Sequence, residues 1–154
     1  MNEGPVVKGN PLKFSIGLLV ASYFIGEFII PQYPLIYIIK LVGVLGLLSS
    51  ASMFLSSFSI FKSYEEDPTP SSTTYRIIKT GIFAYTRNPI YLSFVIFHLS
   101  MFLVFENVMY LLSAAGLAIW LHNFVIKAEE DFLLSKFPEE YERYLQSVKR
   151  WIFF

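Results

Sequence analysis

The sequence predicts an all-α membrane protein: a bundle of about four transmembrane helices, followed by amphipathic helices at the C-terminus. Three observations predict it. Only 16% of residues are charged, against about 25% in soluble domains, which is too few to wet a globular surface. Apolar runs recur at the roughly 20-residue length that a bilayer core of about 30 Å requires of a helix. None of these runs alternates with a period of two, which argues against a β-barrel.

The spans follow in order. The first is residues 12–30, the second 34–61, the third 89–105 and the fourth 108–128. The first starts beside Lys13 and lacks a small-residue cleavage pattern, so it reads as a span and not as a cleaved signal. "PQYP" (31–34) and Glu106–Asn107 read as tight hairpins. The long connection, 62–88, carries Pro68, Pro70, a Ser/Thr cluster and Gly81, all loop formers. In the tail, 129–154, Phe132, Leu133, Phe137, Tyr141, Tyr144, Leu145 and Val148 recur at helical spacing between charges. That pattern predicts amphipathic helices on the membrane surface or capping the bundle. The closing Trp151, Ile152, Phe153 and Phe154 read as an interfacial aromatic anchor. No internal repeat divides the chain, so residues 1–154 read as a single domain.

Charge gives the orientation. Eleven of the twelve Lys and Arg residues fall at one end of a four-span bundle, with only Lys40 toward the other. The positive-inside rule then places both termini, the long loop and the tail in the cytoplasm. Net charge is zero, which leaves no electrostatic footprint for nucleic acid. With no cysteine, disulfides, thiolate metal sites and cysteine nucleophiles are excluded, and no metal is expected. Nothing in the sequence bears on oligomeric state.

Two charged stretches meet at one depth. Arg87 lies 19 residues before Glu106, and Glu129 lies 22 after Asn107, so their heights differ by only about 5 Å at 1.5 Å per residue. "TRNPIY" (86–91) and "KAEED" (127–131) should therefore face each other across one mouth of the hairpin. The plain reading is a helix start, with Asn88 as N-cap, Pro89 at the first helical position and a snorkelling Arg87. The other reading is a binding site, with Arg87 opposite Glu129. His122, seven residues before Glu129, falls on the same face of an α-helix about 10 Å deeper, and an ionisable group there is a functional candidate. His98 reads as structural, and Glu27 and Lys40 as a pair flanking the first hairpin.

"GIFAYTRNPIYL" (81–92), "AEEDFL" (128–133) and "FPEEYERYLQSVKRWI" (137–152) together resemble the isoprenylcysteine carboxyl methyltransferase family, within a wider group that includes phospholipid N-methyltransferases. The resemblance covers roughly residues 60–152. It implies an integral membrane methyltransferase with a cytoplasmic pocket for S-adenosylmethionine (SAM), releasing S-adenosylhomocysteine (SAH). The cofactor-lining residues it implies are Tyr75, Arg76, Ile77, Ile78, Phe83, Asn88, Pro89, Ile90, Tyr91, Glu129 and Glu130. Arg87, Tyr91, Glu129 and His122 are the candidates for a catalytic role. These residue types suit SAM: arginine for its carboxylate, glutamate for its ammonium or ribose hydroxyls, and aliphatic or aromatic walls for adenine. A lipophilic acceptor is implied, entering from membrane lipid. It could be an isoprenylcysteine-like carboxylate, a lipid amine or another hydrophobic small molecule.

Three departures matter. The family's usual histidine is Asn88 here, and the leading histidine of the strip before the glycine is Tyr75. An arginine that eukaryotic members place four residues before the first glutamate is Val125. The cofactor half of the site thus carries over better than the acceptor half. The membrane would be the plasma membrane in a prokaryote and the endoplasmic reticulum in a eukaryote. Two alternatives stand beside this reading. One is an NAD(P)H-dependent sterol or enone reductase, whose similar Arg-x-x-x-Tyr signature is followed by an acid where this chain has Phe94. The other is a non-catalytic membrane subunit with a retained motif.

Overall fold

Small residues, not large ones, decide how the helices meet. The structure, a computed structural model, describes residues 4–32 and 34–152; Tyr33 of the first connection and Phe153 and Phe154 of the proposed anchor lie outside them. Helix α1 spans Pro11–Phe28, α2 Tyr37–Ser63, α3 Pro89–Phe105 and α4 Val108–Leu121. A π-helical turn at His122–Ile126 leads directly into α5, Lys127–Lys136, and α6 covers Pro138–Ser147. There is no strand among the described residues.

Three helices are long and apolar enough to cross a membrane: Pro11–Phe28, Tyr37–Ser63 and the continuous 29-residue helix Val108–Lys136. The fourth apolar helix, α3, has 17 residues. The expected spans shift accordingly. The first ends two residues early and the second starts three late, because Ile29, Ile30, Leu35 and Ile36 are apolar without being helical. The fourth does not stop at 128: a run of helix formers carries it through the charged "KAEED" to Lys136.

α2 packs along α3, α3 along α4, and α4 along α1, so α1 lies at the edge beside α4 and not beside its sequence neighbour α2. The buried residues of α2 are Gly43, Ser50 and Ser57, seven apart, which puts one stripe of small residues against α3. A Cβ on Gly46 would stand 2.2 Å from Ser100 Oγ, and one on Gly43 2.8 Å from Leu103 Cβ. Close approach of this kind is how helices associate in lipid, where burying large apolar side chains gains nothing over the acyl chains. Leu45, Leu48 and Ile119 stay about 63% exposed on the outside. α1 repeats the scheme with Ser15, Ser22 and Gly26 buried.

Polar side chains tie the layers together. His98, fully buried, bridges α1 and α4 by hydrogen bonds with Ser15 Oγ (3.0 Å) and Ser113 Oγ (2.7 Å). Asn107 caps α4 through Met109 N–H (2.9 Å) and donates to Ser22 O (3.1 Å). Glu106 turns the α3–α4 connection at a positive φ of 58°. Its carboxylate takes Lys40 (3.0 Å) and the Leu35 N–H. The expected Glu27–Lys40 pair does not form, because the α3–α4 turn reaches Lys40 first; Glu27 accepts from Gln32 instead (3.1 Å).

Candidate functional site

The long loop is braced internally by its own carboxylates. Glu66, almost wholly buried, accepts the Tyr75 N–H (3.1 Å) and faces Arg76 Nε at 3.5 Å. Asp67 accepts from the hydroxyl and N–H of Thr69 (2.6 and 2.8 Å), and these two bonds hold its carboxyl below the usual range. Gly81, at φ 59°, adopts a left-handed conformation that favours glycine and starts a 3-10 turn over Gly81–Ala84. The turn sets Phe83 edge-on to Phe61 of α2 at 5.5 Å.

Below this turn, "TRN" is held against the C-terminal segment. The Arg87 guanidinium donates to Glu130 Oε1 through Nη2 (2.9 Å) and Nε (3.2 Å), and through Nη1 to the carbonyls of Leu145 and Val148. Its backbone N–H donates to Lys149 O (3.0 Å). Thr86 Oγ1 and Asn88 Nδ2 both donate to Arg150 O (3.1 and 3.0 Å). Arg150 in turn grips Glu130 and meets His122 Nε2 at 3.3 Å; the Glu130 bond is the main cause holding its guanidinium more basic than usual. The Trp151 ring is thereby buried in the core with Tyr91, Leu92, Leu117, Leu121, Val125 and Ile126, not set at an interface as an anchor.

Several expectations are corrected here. Arg87 pairs with Glu130, not with Glu129. Asn88 starts α3 without a side-chain cap, because its amide is turned to the tail. His122 does not share a face with Glu129. The π turn between them takes up one extra residue, so the residue eight positions on, Glu130, falls where the seventh would, and His122 joins it through Arg150.

Glu129 instead accepts the Tyr91 hydroxyl at 2.6 Å, and this pair lines a cleft with a volume of about 130 Å³. Ile77, Ile78, Phe83, Pro89 and Ile90 supply apolar wall, and Arg76, Arg87, Asn88 and Glu130 also reach its lining. Tyr75 does not: its ring is 66% exposed and lies 5.6 Å from Lys136 Nζ. His122 is likewise outside the lining. Tyr141 and Tyr144 of α6 close another side. Burial pushes both phenols up, away from ionisation, and Tyr144 donates to Phe83 O at 2.6 Å.

Sequence reasoning missed Glu66, Arg150 and the loop and N-terminal residues that complete the cleft. Glu66 had a signal, an acid beside a Pro-rich turn, but not one that announces burial. Among the described residues no group of three or more His, Asp or Glu is placed to hold a metal. Chemically, the cleft offers a hydrogen-bonded acid, a half-exposed guanidinium at Arg76 and aliphatic and aromatic surface.

The sequence profile of the phospholipid methyltransferase family matches residues 39–140, which includes α2 from its third residue on, the loop, the Tyr91–Glu129 pair and Glu130. No curated protein matches the chain.

Proposed function

The chain belongs to the phospholipid methyltransferase family, and we propose on that premise that it is a SAM-dependent methyltransferase acting on a lipophilic acceptor at the end of the bundle that carries the cleft. The observation that carries this reading is the Tyr91–Glu129 pair, an acid held at 2.6 Å in a cleft with both apolar and charged walls.

The residues present fit the cofactor. Glu129 suits the ammonium or the ribose hydroxyls, and Tyr91 holds its carboxylate in one orientation. Arg76, its side chain 58% exposed and facing Glu66 at 3.5 Å, is the guanidinium available for a carboxylate, since Arg87 is engaged by Glu130 and the tail. Ile77, Ile78, Phe83 and Ile90 suit a flat heteroaromatic ring. The cleft volume of about 130 Å³ is below the roughly 300 Å³ where small-molecule pockets begin, so a nucleoside–amino acid conjugate would extend beyond it.

When bound, SAM supplies an electrophilic methyl group on a sulfonium. What the protein has to do is align donor and acceptor and exclude water. The apolar walls and the folded loop support both tasks. His122 is not assigned a proton-transfer role, because Arg150 occupies its Nε2 side. The acceptor half lacks a cation where the resemblance places one: Val125 is fully buried in the core.

Calorimetric titration of the purified protein in detergent tests the proposal. SAH is expected to bind and NADPH is not; binding of NADPH without SAH would overturn the proposal in favour of a reductase. Glu129→Gln is expected to weaken SAH at least tenfold, about 1.4 kcal/mol.

A further inference from the structure

One wall of the cleft comes from outside the family-matched span. Residues 4–9 precede α1 and cross the same end of the bundle. Their burial alternates: Pro5 is buried and lines the cleft, Val6 is 88% exposed, and Val7 packs against the core cluster. The segment is anchored along its length. The Lys8 N–H donates to Phe124 O at 3.4 Å, a carbonyl within the π turn, where regular α-helical pairing is interrupted. Gly9, at φ 88°, passes against the Trp120 ring. Asn10 then caps α1 by accepting the Lys13 N–H (3.1 Å). At the other end, Gly4 lies so close to the loop that a Cβ would stand 2.2 Å from Ser71 O and 2.4 Å from Ser72 O.

We propose that residues 4–9 form a strap that seals the cleft, with Pro5 as the wall residue that a bound ligand meets. The strap connects three elements that bear on the cleft: the loop at Ser71–Ser72, the cleft itself at Pro5, and the π turn from which Glu129 and Glu130 are aimed. It is the water-excluding wall that transfer of a methyl group requires. The identity of the ligand rests on the reading above; the existence of the wall does not.

The chain has no cysteine, so a single introduced cysteine reports on the cleft. Ile78→Cys places it in a buried, cleft-lining position, and its reaction with a charged maleimide is followed in detergent. Adding Gly4→Val, which sets a side chain against the loop carbonyls, is expected to speed labelling at least about tenfold, as for release of a locally closed state. Deleting residues 2–7 should do the same, and Val6→Ala should change nothing. Equal rates with and without the strap would overturn the proposal. So would equal acceleration at Ala114→Cys, buried between helices, since that would be general unfolding. In the cysteine-free protein, Gly4→Val is expected to weaken SAH several-fold; unchanged SAH affinity would overturn the role of Pro5 as a ligand wall. Faster labelling in a protein whose unaltered form binds no SAH would support the wall and count against the cofactor.

Discussion

Arg87 is the residue whose meaning changes most between sequence and structure. Four of its five N–H groups are used, two on Glu130 and two on tail carbonyls. Its side chain is 9% exposed and that of Glu130 11%, so the pair is desolvated. Removing one partner of such a pair leaves a buried charge uncompensated, at roughly 3–5 kcal/mol. Glu130→Gln keeps an amide oxygen as acceptor and is expected to lower unfolding free energy by about 3 kcal/mol, the lower end of that range, measured by denaturant unfolding in detergent. Glu129→Gln keeps an oxygen to accept the Tyr91 hydroxyl and should leave stability within about 1 kcal/mol, while altering ligand affinity. Comparable destabilisation by both substitutions would refute this division between a structural and a ligand-facing acid. The sequence places both glutamates at the right depth. It cannot say which of two adjacent acids takes Arg87 and which takes Tyr91, because that depends on helix phase.

At the scale of the element, phase is what hydropathy cannot deliver. Apolar runs locate α3 and the start of α4 closely. The ends of α1 and α2 are less legible, because an apolar connection looks like helix. The π turn has no compositional mark, and it moved His122 away from Glu129. The stripe of small residues in α2 leaves a mark in the sequence: Gly43, Gly46, Ser50 and Ser57 are three, four and seven residues apart, a seam period. It predicts a sharp contrast between glycines. Gly46→Val drives a side chain into Ser100 Oγ and is expected to cost about 1–3 kcal/mol by overpacking. Gly17→Ala, with no atom near its added Cβ, should be neutral or stabilise by up to about 1 kcal/mol through helix propensity. Thermal unfolding in detergent compares them. Equal effects would show that α2 and α3 are not in close contact at Gly46.

For the molecule as a whole, the bundle order α2, α3, α4, α1 sets what must be true of the membrane. The cleft, the strap, the loop and α6 share one end, and Glu106, Lys40 and Glu27 share the other. α3, at 17 residues, is about 26 Å long, slightly short of a bilayer core of about 30 Å. Its turn at Glu106–Asn107 is the start of the 29-residue helix beginning at Val108, so if that helix crosses from this turn, α3 has crossed before it. We propose four crossings, and the distribution of Lys and Arg favours the basic end inside. Two single cysteines decide it: Ser71→Cys on the exposed loop and Gln32→Cys in the exposed first connection. In intact cells an impermeant maleimide is expected to label Gln32→Cys alone, with Ser71→Cys reacting only after permeabilisation. The inverse pattern would turn the cleft away from the cytoplasm. A cytoplasmic supply of SAM would then be unable to reach Glu129, and the proposed methyl transfer would fail on access even with every residue of the cleft in place.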